Sequence, residues 1–371
     1  MADDRDIDLV LITGAGASCA FGQLRQFPLM DGWSDALRKK IIDLSENMAF
    51  RKMIDLEGEI DGPEFERRLG SFLRQVQAFR EIKPLVKASL DLSTIRQEFK
   101  MKMPSQASAL EEWYSTTSNA IDDLIEGLNE IVYALFDEPG IDDFAAAKGF
   151  GWLLEELRID DHSLFVLATT NYDLVGETAL ARLGYRIDWG RPPQLQPSPD
   201  VELRVERLLG GVGSYVPVLH LHGRLGWYLK PDGTVRDMQG GSYSKQWGTP
   251  VVMWPDDEKD ASSYVATAII DMLWGQLREA LGRARKVLVL GHSLHDRFLV
   301  QALREHVPPE RLAITICAES LEELSSTRLA PIRDAVQRDF GTIMTVPMVF
   351  GPEPTGVDQL RLWMQDIEQL D

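Results

Sequence analysis

Residues 8–21, DLVLITGAGASCAF, constrain the fold of this chain more than any other stretch. An apolar run of β-forming residues at 9–12 stops at the glycine turn 14–18, and a helix-compatible segment follows. This order predicts a strand, a tight turn and a helix N-terminus. Glycines at such a turn let the backbone approach a pyrophosphate, so we expect a dinucleotide-phosphate site. Cys19 replaces the third glycine of the G-x-G-x-x-G motif, so a plain β-to-α turn stays an alternative.

Polar residues follow three later apolar runs that are typical of buried strands. The run 163–168 ends in TTNYD, the run 216–221 ends in HLHG, and the run 286–290 ends in GHSLHD. In a doubly wound sheet the ligand crevice lies outside the carboxyl ends of the strands. The residues to consider there are therefore Asn171, Asp173, His222, Ser293 and Asp296. Helix capping is the alternative role for Asp173 and for Asp296.

Composition limits the classes of partner and compartment. The net charge of −19 and the pI near 4.8 argue against non-specific binding to nucleic acid or to an anionic membrane. No apolar run reaches 18 residues, and the acidic N-terminus lacks a signal-peptide core, so we expect a cytoplasmic protein. The two cysteines, Cys19 and Cys317, cannot form a disulfide framework or a four-cysteine zinc site.

The hydrophobic periodicity predicts an α/β fold with a large helical insertion. Residues 31–157 carry apolar positions at helical spacing and are too long for a simple crossover between strands. We expect a single domain over 1–371, with a Rossmann-like parallel sheet formed by 7–30 and 158–350. The insertion is then 31–157, and 351–371 forms a C-terminal helix that packs on the core.

The four motifs GAGAS, TTNYD, HLHG and GHSLHD, in this order, resemble the sirtuin superfamily, and more closely its bacterial branch associated with antiphage defence. The resemblance covers about residues 7–22 and 163–318. It implies a sirtuin-like Rossmann fold that binds NAD+. The residues that it places against NAD+ are Gly14, Ala15, Gly16 and Ser18 at the pyrophosphate, Thr170, Asn171 and Asp173 at the nicotinamide ribose, and Gly291 and Ser293 on the adenosine side. Asp296 joins this set as a residue that binds sugar or caps the next helix.

His222, directly before a glycine, matches the catalytic histidine of the family. The catalytic set that we expect is Asn171 to position ribose or water, Asp173 to support the pocket electrostatically, and His222 as general base. Three departures separate the chain from sirtuin deacylases. The PDFR-type loop of the family has no clear equivalent, and residues 27–31 are the nearest stretch. Thr170 replaces the usual glutamine, and no cysteine lies between His222 and Gly291, where deacylases carry a four-cysteine zinc ribbon. These differences are typical of sirtuin-like NAD+ hydrolases, which cleave NAD+ as substrate, and we expect neither protein deacylation nor a bound metal.

The resemblance also implies a biological role and a means of control. The expected function is NAD+ hydrolysis to nicotinamide and ADP-ribose as the effector of an antiphage abortive-infection system, restrained by homo-oligomer assembly or by a partner such as a HerA-type ATPase. One alternative is a module that binds NAD+ or ADP-ribose without cleaving it. The other is a metal-dependent hydrolase built from four histidines near strand ends, His220, His222, His292 and His295.

Overall fold

The computed structural model describes residues 6–24, 26, 71, 140–160, 162–190, 200–205, 208–210, 215–238, 245–252, 267–318, 329–341, 343–356 and 358–368, with separate positions between 112 and 137. The chain divides into two compact units. Met1–Met30, Tyr133–Trp254 and Lys259–Asp371 form the first, and Asp31–Val132 with Pro255–Glu258 form the second. The fold described below is that of the first unit. The predicted helical insertion, 31–157, lies largely outside the described residues and stays a prediction.

The described residues include eleven strands, seven α-helices and short 3-10 turns. The strands are β1 Leu9–Thr13, β2 Phe165–Thr169, β3 Arg186–Asp188, β4 Asp200–Glu202, β5 Tyr215–His220, β6 Gly223–Leu229, β7 Val235–Met238, β8 Thr249–Val252, β9 Val287–Leu290, β10 Leu312–Ala318 and β11 Met344–Val349. The helices are α1 Ala15–Ser18, α2 Asp143–Glu156, α3 Val175–Arg182, α4 Thr267–Arg283, α5 Arg297–His306, α6 Ala330–Phe340 and α7 Asp358–Glu368. The 3-10 turns are Cys19–Phe21, Leu208–Gly210, Lys245–Trp247 and Pro309–Arg311.

Seven parallel strands form the main sheet, in the spatial order β11-β10-β9-β1-β2-β5-β3. β1 lies at its centre, where Leu11 is paired with Leu167 of β2 and with Leu288 of β9. The predicted Rossmann-like parallel sheet is therefore confirmed. The chain extends the sheet from β1 toward β2 first and later fills the other side with β9, β10 and β11. The strand order thus reverses beside β1, and such a point is where open α/β sheets bind ligands.

Helices cover both faces of the sheet, because its central strands are apolar on both sides. Val10 and Ile12 of β1 belong to the core that α4 and α5 cover, whereas Leu9 and Leu11 belong to the opposite core beneath α2, α3 and α7. Every residue of β1, β2 and β9 is buried. No helix among the described residues is both long enough and apolar enough to cross a lipid bilayer.

A second, antiparallel sheet follows the main one, in the order β4-β7-β6-β8. Residues 189–213 are rich in Pro and Gly, a composition typical of a loop, yet β4 lies in this stretch and pairs with β7. β4 has three residues and depends on a partner more than thirty residues further along the chain. A period-2 pattern cannot be recognised over so short a strand, so local sequence could not reveal it.

Candidate functional site

Four adjacent strands of the main sheet bring the four motifs to one edge. The glycine turn follows β1, TTNYD follows β2, HLHG spans the end of β5, and GHSLHD follows β9. These strands are neighbours in the order β9-β1-β2-β5, and their carboxyl ends point the same way. The polar residues that the sequence selected therefore lie along the crevice edge of the sheet beside β1.

The glycine turn after β1 is docked onto the glycine turn after β9. The N–H groups of Gly14 and Gly16 donate to the carbonyl oxygens of Leu290 and Gly291, both at 2.9 Å. A methyl group on Gly14 would lie 2.7 Å from the Gly291 oxygen. Close contact between the two backbones therefore requires glycine at this position, a structural role that the sequence did not reveal.

Gly291 is equally constrained by this contact. Its φ of +64° favours glycine, and a methyl group there would lie 2.4 Å from the backbone nitrogen of Ala17. The helix that begins at Ala15 has only four residues, so this turn lacks the dipole of a long helix. Gly14, Ala15, Gly16 and Gly291 remain predicted contacts to NAD+.

Asn171 holds the glycine turn with its amide nitrogen. The Nδ2 atom lies 2.9 Å from the carbonyl oxygen of Gly14 and 2.9 Å from Oγ of Ser18. A carbonyl oxygen only accepts, so the atom facing it must be the NH2 group, and this contact fixes the orientation of the amide. Both N–H donors of Asn171 are thereby used within the protein. What the side chain offers a ligand is its acceptor, Oδ1.

Ser18 links Asn171 to Asp173. Its hydroxyl donates to Oδ1 of Asp173 at 2.9 Å, so its oxygen accepts from Asn171. The same carboxylate oxygen accepts from the Val175 N–H at 3.0 Å, at the start of α3. All three side chains of this relay are buried. Asp173 therefore bonds the first residue of α3 and contacts Asn171 through Ser18, while its role toward NAD+ stays a prediction.

Thr170 lies between β2 and this relay. Its backbone N–H donates to the Thr13 carbonyl at 3.1 Å, which continues the pairing of β2 with β1 beyond the last strand residue. The Thr169 hydroxyl accepts from the Asn171 N–H at 3.0 Å, so the backbone that carries Asn171 is also held.

Burial raises the pKa of Asp173 from 3.8 to about 6, although hydrogen bonds from Val175 and Ser18 oppose the shift. Between about pH 4 and pH 6 the folded protein therefore keeps a proton that the unfolded chain has lost. The free energy of unfolding therefore decreases as the pH rises through this window, because the folded protein must release this proton.

We expect the Asp173→Asn variant to become more stable relative to the wild type as the pH rises from about 4 to about 7. The amide cannot ionise, so the variant does not undergo the decrease in the free energy of unfolding, up to about 3 kcal/mol for a shift of this size, that the wild type undergoes. Urea unfolding of both proteins across this pH range measures the difference. A difference that stays constant with pH would show that Asp173 titrates normally.

His222 and Asp296 pair across the edge of the sheet. The Nε2 atom of His222 lies 2.7 Å from Oδ2 of Asp296, and both side chains are buried. Oδ1 of Asp296 accepts from the N–H groups of Phe298 and Leu299, so Asp296 is the N-cap of α5. The Trp274 ring of α4 packs beside the imidazole, with 6.4 Å between ring centroids. The cap predicted for Asp296 is thus observed, together with a partner that the sequence did not suggest.

His220 belongs to a different, fully buried cluster around Glu177 of α3. The Glu177 carboxylate accepts from His220 Nε2 at 2.9 Å and from Arg224 Nε at 3.2 Å, and Arg224 Nη2 also contacts it. Arg224 in turn reaches Asp237 at 3.2 Å. His220 and Arg224 lie on either side of His222 in the chain, so Glu177 ties both flanks of that histidine to α3.

The charges of this cluster are set by its members. Burial opposes ionisation of Glu177, but Arg224 and His220 outweigh it and lower the pKa of Glu177 to about 2. Burial likewise opposes the charge of Arg224, and Glu177 and Asp237 raise its pKa overall. Burial lowers the pKa of His220 despite the opposing effect of Glu177, so His220 is neutral at pH 7. The cluster is an anchored ion pair with a neutral histidine.

The remaining predicted residues lie in the loop between β9 and α5. Ser293 is half-buried, and its hydroxyl has no hydrogen-bond partner among the described residues. His292 is buried and accepts the Leu294 N–H on Nδ1 at 2.8 Å, while His295 is exposed. The four histidines of the metal alternative therefore face different surroundings, and the described part of the chain contains no group of three or more His, Cys, Asp or Glu residues suited to a metal ion.

Sequence reasoning missed Glu177 and Arg224. Glu177 is a charged residue among the buried positions of α3, and Arg224 is a charged residue in the otherwise apolar start of β6. Each position carries a signal, because a charge amid buried positions needs a partner. That they are partners of each other is a tertiary fact that neither local pattern contains.

Comparisons with known proteins add little to this geometry. No family model matches the sequence, and no curated protein is significantly similar to it. Among solved structures, the chain is similar to that of Sir2Tm bound to a propionylated peptide, over 91% of this chain and 95% of the other, with 12% identity and a TM-score of 0.32. Similarity at this TM-score carries no weight for function, so the site residues depend on their own contacts.

Proposed function

We propose that the chain is an NAD+ hydrolase that releases nicotinamide and ADP-ribose. The observation that carries the proposal is the set of hydrogen bonds that joins the four motifs into one site. Asn171 forms a hydrogen bond with the glycine turn at Gly14, Gly16 with Gly291, and His222 with Asp296. Residues from four separate stretches of chain thus lie at the edge where doubly wound sheets bind nucleotides, in the order that resembles the sirtuin superfamily.

The reaction breaks the bond between the ribose C1′ carbon and the nicotinamide nitrogen. The bonding electron pair leaves with nicotinamide, whose ring loses its positive charge, and a water oxygen forms the new bond to C1′. The water proton passes to a base and then to solvent, so NAD+ and water give nicotinamide, ADP-ribose and one proton. Positive charge develops on the sugar in the transition state, and acceptor atoms placed beside it stabilise that charge.

Asn171 and His222 supply the acceptor atom and the base, and two further side chains support them. Asn171 presents Oδ1, which accepts a hydrogen bond from the attacking water or from a ribose hydroxyl, while its NH2 group is held by Gly14 and Ser18. Asp173 keeps that amide in place through Ser18. His222 is the general base. Ser293 offers a hydroxyl that no described residue occupies, which suits a contact to the adenosine half.

Hydrolysis is favoured over protein deacylation by the sequence between His222 and Gly291. This stretch contains no cysteine, so it cannot form the zinc ribbon that sirtuin deacylases carry there. An unregulated NAD+ hydrolase would deplete the cell of NAD+. The proposal therefore includes control of the activity by self-assembly or by a partner such as a HerA-type ATPase. The effector role in antiphage defence belongs to the same proposal.

The test is mass spectrometry of NAD+ incubated with the purified chain over a range of protein concentrations. We expect nicotinamide and ADP-ribose in equal amounts, with a rate per molecule that rises with concentration if assembly is required. A protein that NAD+ stabilises against thermal unfolding but that releases no nicotinamide at any concentration would be a sensor, and the hydrolase proposal would be wrong.

A further inference from the structure

We infer that Asp296 is a positioning residue that fixes which nitrogen of His222 acts as the base. The inference rests on the proposed function and concerns the contact between His222 and Asp296. The two side chains come from different motifs, 74 residues apart in sequence, and meet at 2.7 Å in a buried environment. A hydrogen bond of this length between imidazole and carboxylate is in the range of charge-assisted bonds.

The two oxygens of Asp296 have separate tasks. Oδ1 accepts the Phe298 and Leu299 N–H groups at 3.0 and 3.2 Å and so caps α5, while Oδ2 faces the His222 ring. An ionised carboxylate only accepts hydrogen bonds. Nε2 of His222 must therefore carry a proton, and in the neutral imidazole the basic nitrogen is Nδ1.

This pairing has a chemical consequence for the hydrolysis. When Nδ1 takes the proton from water or from a ribose hydroxyl, the ring becomes an imidazolium with protons on both nitrogens. Asp296 accepts from Nε2–H in both states, so it holds the ring in one orientation and stabilises the positive charge that proton transfer creates. The proton moves between the substrate and Nδ1 only, and Asp296 itself stays ionised.

The backbone around Asp296 is suited to holding it still. Leu294, two residues earlier, has a φ of +60°, which is rare for a leucine, and its N–H donates to Nδ1 of His292 at 2.8 Å. Asp296 then begins α5, whose residues Leu299 and Leu303 are fully buried. On the other side, Glu177 anchors His220 and Arg224 around His222. Both members of the pair are thus carried by fixed segments.

The Asp296→Asn variant separates capping from control of the proton. The side-chain oxygen must still face the Phe298 and Leu299 N–H groups, because an NH2 group there would oppose two donors, and asparagine is a good N-cap. Its NH2 group then faces Nε2 of His222 and donates to it, which moves the ring proton to Nδ1. We expect an intact fold, the opposite tautomer of His222, and kcat for nicotinamide release lower by about 10²- to 10⁴-fold.

The matched control is Asp142→Asn, because Asp142 caps α2 through the Ala145 N–H at 2.9 Å and has no part in the site. Protein labelled with ¹⁵N-histidine reports the tautomers by NMR at alkaline pH, and the signal that disappears in His222→Gln identifies His222. The inference predicts Nε2–H in the wild type and in Asp142→Asn, and Nδ1–H in Asp296→Asn, with similar melting temperatures throughout. Nδ1–H in the wild type, or unchanged tautomer and kcat in Asp296→Asn, would overturn it.

This experiment distinguishes the inference from the proposed function. A wild-type chain that releases no nicotinamide refutes the hydrolase, while the tautomer of His222 is still measured and still decides whether Asp296 sets it. A wild-type chain that turns over, with the wrong tautomer, refutes the positioning role alone.

Discussion

Replacing His222 with alanine is expected to lower kcat for nicotinamide release by about 10²- to 10⁴-fold, the usual contribution of a general base. The imidazole lies two residues beyond the end of β5, and its Nε2 atom is bound to Asp296. Without the imidazole, a solvent water must accept the proton, while Asn171 and the glycine turns stay in place. A residual rate above the uncatalysed reaction is therefore expected. The measurement is initial-rate nicotinamide release at saturating NAD+.

His162→Ala is the matched control for this variant. His162 lies in an exposed turn before β2, so its loss removes a histidine without affecting the crevice edge. The control should keep the wild-type rate within about twofold, given that an isolated surface change has little energetic effect. Equal rates in the wild type and in His222→Ala would remove His222 from the mechanism.

Replacing Glu177 with alanine is expected to lower the free energy of unfolding by about 3–5 kcal/mol, the cost of breaking a buried ion pair by removal of one partner. The change leaves the Arg224 guanidinium buried with Asp237 as its remaining carboxylate, and it leaves His220 Nε2 without its acceptor. Because Glu177 ties down both flanks of His222, surviving folded protein should also turn over more slowly. Urea unfolding at pH 7 measures the first effect.

The control for this prediction is Glu155→Ala, which removes an exposed carboxylate from α2. It should change stability by no more than about 0.5 kcal/mol. A loss in Glu177→Ala no greater than that of the control would mean that the buried cluster contributes nothing to the fold.

Much of the fold could be predicted from the sequence, because its strands are apolar on both faces. The runs at 9–12, 163–168, 286–290 and 312–317 each correspond to a parallel strand, β1, β2, β9 and β10. Such runs are recognisable without tertiary information, since burial on both sides selects apolar residues at every position. β3 and β4 have three residues each, and pairing partners rather than local pattern decide that they are strands.

The members of the site could be predicted better than their roles. Strand ends selected Asn171, His222 and Asp296, but their partners depend on distances between separate chain segments. Ser18 was predicted at the pyrophosphate, and the structure adds that its hydroxyl binds Asn171 and Asp173. Side-chain hydrogen bonds of this kind join residues about 150 positions apart, and no periodicity encodes them. Their contacts to NAD+ stay predictions.

Asn171 and the relay through Ser18 to Asp173 are proposed to serve cleavage of the nicotinamide bond. The most direct measurement is nicotinamide release from NAD+ by the wild type and by Asn171→Ala, with circular dichroism to verify that the variant is folded. We expect equal amounts of nicotinamide and ADP-ribose from the wild type and a rate at least about 10²-fold lower from the variant, a typical effect of removing one preorganised polar group. Equal rates from the two folded proteins, or no nicotinamide from the wild type at any concentration, would contradict it.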